Sequence, residues 1–125
     1  MTLIDRLRTG THEQAVGLLR ECFDALYPGA FVRMLHNVTT FDRLLAIGTP
    51  EACVGAAMML VPTDGSMNML EVSLAWEPSD AAVWPAGVVL WYPPRCDGDN
   101  WHVRTETAPT AALALAAAIM ETRNG

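Results

Sequence analysis

The unbroken apolar run from Ala111 to Met120 constrains this chain more than any other feature of its sequence. Alanine and leucine in that proportion favour a helix, and a helix with no polar side must be covered by protein on more than one side. We expect Leu113, Ala116, Ala117 and Met120 to face a sheet. Leu115 and Ile119 then face something else, for which a second copy of the chain is the candidate. Thr107 has the chemistry of an N-cap, Pro109 fits a first turn, and Glu121 to Gly125 supply a polar exit. Immediately upstream, Trp101, Val103 and Thr105 alternate with His102, Arg104 and Glu106. That period of two marks a strand with the first set buried and the second facing water.

Read from the start, Thr2 and Asp5 have the spacing of a capping box for a short helix ending at Gly10. Thr11 and Gln14 repeat the signal for a second helix, with Ala15, Leu18, Leu19, Cys22, Phe23 and Leu26 inward and Pro28-Gly29 as its stop. Phe31 to Thr40 has no clean period and reads as irregular chain or a short edge strand. Phe41 to Ile47 suggests one or two helical turns before Gly48. Thr49, Pro50 and Glu51 then open a third helix running to about Val61. Leu70, Val72, Leu74 and Trp76 mark one face of a strand, and a second is interrupted at Trp84 to Gly87 and resumes as Val88 to Tyr92, with Pro85 and Gly87 suggesting a bulge or an edge. The expected fold is a single α+β domain over residues 1–125, with helices packed on a three- or four-stranded, mainly antiparallel sheet as an α/β sandwich.

Charge narrows the partners. The 125 residues carry a formal net charge of -6, and the eight basic residues are scattered arginines with no lysine among them. Such a surface does not suit a phosphate backbone, so nucleic acid is not an expected partner. The apolar runs are shorter than the roughly 18 to 20 residues that span a bilayer, so no membrane span is expected. Cys22, Cys53 and Cys96 are odd in number and contain no C-x-x-C pair, which suits reduced thiols. Met1 to Arg8 lacks the basic and apolar regions of a secretory signal, so a cytoplasmic location is expected.

No catalytic motif is legible. Asp97, Asp99 and Asn100 invite a calcium loop, but an EF-hand counted from Asp97 would put His102 and Ala108 where it needs glycine and glutamate. The histidines and cysteines do not cluster at zinc spacings, and no phosphate loop or nucleophile elbow occurs. Neither metal nor cofactor is therefore expected. His102, Arg104 and Glu106 share one strand face and could supply a proton-transfer group, an anion clamp and a carboxylate. Cross-strand ion pairs on a solvated strand explain the same three residues. Trp84, Trp91, Tyr92 and Trp101 gather in the same hairpins near Arg95 and Arg104, where flat rings and guanidinium groups could hold a base or a sugar.

Two passages, Gly48-Thr49-Pro50-Glu51-Ala52 through Leu60-Val61-Pro62 and Thr107-Ala108-Pro109-Thr110-Ala111-Ala112-Leu113-Ala114-Leu115, resemble small bacteriophage and prophage proteins of the ABA-sandwich type. The resemblance implies an α/β sandwich, a phage or prophage origin and a place in the host bacterial cytoplasm, and it carries over no catalytic residue. The Arg43 to Ile47 insertion and the Pro93 to Asn100 loop depart from the pattern. The resulting expectation is an accessory protein that acts by binding, as a homodimer or higher oligomer. Its target would be a small nucleotide-like signal held by Trp91, Tyr92, Arg95, His102, Arg104 and Glu106 of adjacent subunits. A host defence protein met by the acidic surface, or a small hydrolase built on His102, Arg104 and Glu106, are the alternatives.

Overall fold

The structure, a computed structural model, describes residues 1–61, 68–75, 85–92 and 102–124, without the side chains of 68–71, 75, 92, 123 and 124. It is α+β. Among the described residues, six helices accompany a three-stranded antiparallel sheet in the order β1-β2-β3. The helices are α1 (Leu3–Thr9), α2 (His12–Leu26), α3 (Ala30–Leu35), α4 (Val38–Ile47), α5 (Pro50–Met58) and α6 (Ala111–Asn124), and the strands are β1 (Asn68–Ala75), β2 (Ala86–Tyr92) and β3 (His102–Thr107).

Local chemistry accounts for most helix ends. The Thr2 hydroxyl accepts from the Asp5 amide at 3.1 Å while the Thr2 amide donates to Asp5 Oδ2 at 3.3 Å, closing the expected capping box. The Thr11 amide likewise donates to Gln14 Oε1 at 3.0 Å. Thr49 caps α5 through the Ala52 amide at 3.2 Å, with Pro50 at the first helical position. The last helix starts later than its sequence suggests. Thr107 is the final residue of β3, and Thr110 is the cap, accepting from the Leu113 amide at 3.2 Å.

Residues 31 to 40 are helical rather than irregular or extended. Two backbone breaks cut the segment into short pieces: Gly29 at φ 90° before α3 and Asn37 at φ 59° before α4, both in the positive-φ region that glycine and asparagine tolerate. In α3 the large apolar residues Phe31, Met34 and Leu35 face outward. A helix so short and so turned gives no inward apolar period to read.

The core is organised around α6, in which every residue from Ala112 to Met120 is buried. It touches β2 and β3, and also α1, α2 and α5. All-round burial is as expected, but Leu113 and the Ala114-Leu115 turn meet neighbours other than those expected. Leu113 lies toward the helices, where a Cβ added to Gly10 would come within 2.7 Å of Leu113 Cδ1 and 2.8 Å of Leu18 Cδ1. The sheet instead meets the Ala114-Leu115 turn, because Gly87 on β2 has no side chain to hold the helix off. A Cβ there would collide with the Ala114 carbonyl and stand 2.5 Å from Leu115 Cα. Gly87 therefore marks a close approach of helix to strand rather than a bulge, and the register irregularity falls in β1, between Met69 and Glu71. Leu115 and Ile119 are 1% and 0% exposed. The expectation that they form a contact between copies is corrected: the chain covers them itself.

The sheet also reverses the reading of β3. Gly87, Val89 and Trp91 pair with Glu106, Arg104 and His102, so those polar residues lie on the side of β2 that meets α6. Val103, expected inside, is 64% exposed, and Thr105 is exposed as well. Trp101, expected to be buried, and Trp76 and Trp84 lie outside the described residues. Replacing Gly87 by alanine is expected to lower stability by about 1 to 3 kcal/mol, since backbone rather than a movable side-chain end must shift. Urea unfolding of Gly87→Ala checks this, and a loss under about 0.5 kcal/mol would place α6 further from β2 than described.

Candidate functional site

Glu106, at the end of β3, lies among the groups of α1 and α6. Arg8 grips its carboxylate with two parallel bonds, Nε to Oε2 and Nη2 to Oε1, each 2.8 Å long. The same guanidinium donates to Asp5 Oδ1 at 3.4 Å and stands 3.7 Å from Glu121 Oε2. Arg104 Nη2 reaches the other Glu121 oxygen at 3.9 Å. Asp5, Arg8, Glu106, Glu121 and Arg104 thus form one chain of opposite charges fastening α1, β3 and α6. The Glu106 side chain is only 11% exposed, which makes the two-point guanidinium contact more than a surface pair. Bonding to Glu106 raises the Arg8 pKa further above its usual value, so Arg8 is charged at any pH of interest. Hydrogen bonds from Thr2 hold the Asp5 carboxyl below its ordinary range.

The trio expected on β3 is thereby divided. Glu106 is bonded to Arg8 through both oxygens, whereas His102 and Arg104 are exposed. Two residues along the same face from the Val89–Arg104 pair, the Trp91 ring stands 4.8 Å from the His102 ring, centre to centre, tilted by 33°. Trp91 is partly buried against the core, so the tryptophan backs the exposed His102. Trp91, His102 and Arg104 are brought together; Arg95 and the side chain of Tyr92 lie outside the described residues, as does the Asp97 to Asn100 loop. Arg8 is the residue that sequence reasoning misses. Its only local mark is the three-residue spacing from Asp5, and nothing nearby points to a partner 98 positions away.

Elsewhere, the starts of α2, α5 and α6 meet at a cavity of about 210 Å³ with His12, Glu51, Cys53 and Thr110 in its wall. A groove of about 550 Å³ between α1 and α2 is crossed by Arg6 and Glu21, paired at 2.9 Å. Cys22 and Cys53 are free and buried. Burial pushes the Cys22 thiol up to about 12 and raises that of Cys53. Both act as core filler and not as nucleophiles. Among the described residues, no group of histidine, cysteine and carboxylate side chains could hold a metal ion, and no helix is long and apolar enough to cross a membrane.

No protein-family model matches the chain, and neither the curated proteins nor the solved structures yield a similar one.

Three outcomes follow from this geometry. Arg8→Ala strands the Glu106 carboxylate and is expected to cost about 3 kcal/mol, against under about 0.5 kcal/mol for Arg6→Ala, whose pair with Glu21 is roughly half exposed. Parallel denaturant titrations of the two variants check the contrast, and equal losses would contradict it. The raised folded pKa of Cys22 means that its unfolded thiol ionises first. Stability from this group is therefore intact below pH 9 and declines as pH rises toward 12. In Cys22→Ala that part of the alkaline decline should vanish, as followed by melting temperature against pH.

Proposed function

We propose that this protein acts by binding a small anionic ligand with a flat ring, of the nucleotide-like class, on the β2-β3 face at Trp91, His102 and Arg104. The observation that carries the reading is the division of the β3 trio: Arg8 occupies the one carboxylate that hydrolysis would need as a base. The exposed Arg104 guanidinium and the Trp91–His102 ring pair keep the means to hold phosphate and base. Arg104 reaches Glu121 only at 3.9 Å, a distance that an incoming anion would outcompete. Glu106 serves the site by fixing the end of β3, and the sequence reading adds Tyr92 and Arg95, which lie outside the described side chains.

On this reading the fold is an α/β sandwich and the protein a phage or prophage accessory, as the resemblance of Gly48–Pro62 and Thr107–Leu115 implies. Its role would be to sequester a host signal in the bacterial cytoplasm. The net charge of -6 favours one alternative, in which the acidic surface covers a basic face of a host defence protein.

Thermal-shift measurements against cyclic nucleotides and ADP-ribose-type molecules, followed by mass spectrometry of the released ligand, test the reading. Intact ligand is expected. Arg104→Ala should weaken binding at least about tenfold with little change in the melting of the free protein. A chemically altered product would overturn binding in favour of catalysis, and unchanged affinity in Arg104→Ala would remove the site.

A further inference from the structure

Helix α3 is turned inside out. Its polar residues face the protein: Arg33 Nε donates to the Tyr27 carbonyl at 3.1 Å, Arg33 Nη2 lies 3.3 Å from Asp24 Oδ1, and the His36 ring at its end stacks on the buried Tyr27 ring at 3.8 Å. Val32 packs against the core, but the larger apolar residues face away. Phe31, Met34 and Leu35, spaced to share one helix face, are 66%, 61% and 62% exposed. Specific bonds on the inner side hold the helix in this orientation, so the outward face is a fixed feature of the fold. Leu35 also lines a depression of about 200 Å³ with Met58, Met59 and Val61, and Met58 is itself 43% exposed. An apolar ridge therefore lies beside a hollow whose wall is apolar at Leu35, Met58, Met59 and Val61 and polar at His36 and Asn37.

We propose that this surface is the contact between two copies of the chain, related by a two-fold axis, with Phe31 and Met34 of each copy seated in the Leu35–Met58 hollow of the other. A two-fold contact requires one patch to be complementary to itself, and a ridge beside a hollow meets that requirement, whereas a ridge alone does not. Charge selects the same surface. Near the ridge Arg33 is paired with Asp24 and Asp42 with Arg20, which leaves this surface close to neutral in a chain whose total is -6. Two acidic copies repel through most of their surfaces and least through this one. The exposed parts of Phe31, Met34, Leu35 and Met58 amount to on the order of 400 Å² per copy, as large as functional patches on soluble proteins but short of the roughly 800 Å² per partner of a tight complex. The dimer is accordingly reversible, with a dissociation constant in the micromolar range. It does not depend on the ligand reading of the β2-β3 face.

Sedimentation velocity of the full chain over a roughly hundredfold concentration range tests the proposal. A monomer–dimer equilibrium is expected, and Phe31→Glu and Met34→Glu should each shift it to monomer at least about tenfold. Both side chains are exposed, so circular dichroism and melting at low concentration should match the parent and separate lost contact from lost fold. A parent that stays monomeric throughout would overturn the proposal, as would a dimer that survives both substitutions. A monomer that binds neutral lipid vesicles through the same two residues would overturn it in favour of a lipid surface.

Discussion

The whole molecule depends on covering a helix that has no polar side. From Ala112 to Met120 nothing on α6 tolerates water, and no single neighbour can enclose a cylinder. The sheet takes one flank and α1, α2 and α5 take the others. Both contacts are close because small residues permit it. Gly87 lets the helix backbone reach β2, and Gly10 admits the ends of Leu113 and Leu18. Alanine along α6 does the same work in reverse, giving neighbours access to the helix axis at little cost in side-chain entropy. Two buried hydroxyls find carbonyl partners: Thr122 donates to Ile119, three residues back, at 2.7 Å, and Tyr27 donates to Leu60, 33 residues on, at 3.4 Å.

The position of the charged cluster follows from that enclosure. Because α1 must pack on α6, Arg8 comes within reach of the end of β3. Because β3 pairs with β2 in the register that puts Gly87 opposite Glu106, a carboxylate faces the helices instead of water. The ion pair is therefore a consequence of the helix–sheet contact and also a lock on it. It decides the chemistry left over. Both oxygens of that carboxylate are taken by the Arg8 guanidinium, while His102 and Arg104 on the same strand stay exposed.

Legibility varied with the range of the interaction involved. The caps at Thr2, Thr11 and Thr49 could be read because their partners lie three residues away. The meander and the all-round burial of α6 were legible in the same way, from period and from length. Thr107 misled as a cap because the β2-β3 ladder extends strand geometry to it, pairing it with Ala86. The inward face of β3 misled for a related reason: alternation reveals that two faces exist, but which one is covered depends on register with β2, and Val103 falls on the open side. Arg8 was invisible, since its meaning comes from Glu106 in a distant element. Leu115 and Ile119 were read as surplus apolar surface because local period does not reveal that α1, α2, α5 and the sheet all close on one helix.

The fold stands on the enclosure of α6 on every side by its own chain. Native-state hydrogen exchange followed residue by residue addresses it directly, because an amide buried in the common core exchanges only when the whole domain opens. The amides of Leu113 to Met120 should exchange with one free energy, equal to that of global unfolding and independent of protein concentration. Exchange of this helix at a lower free energy than β2, or protection that grows with concentration, would show that α6 is covered in part by something other than its own chain.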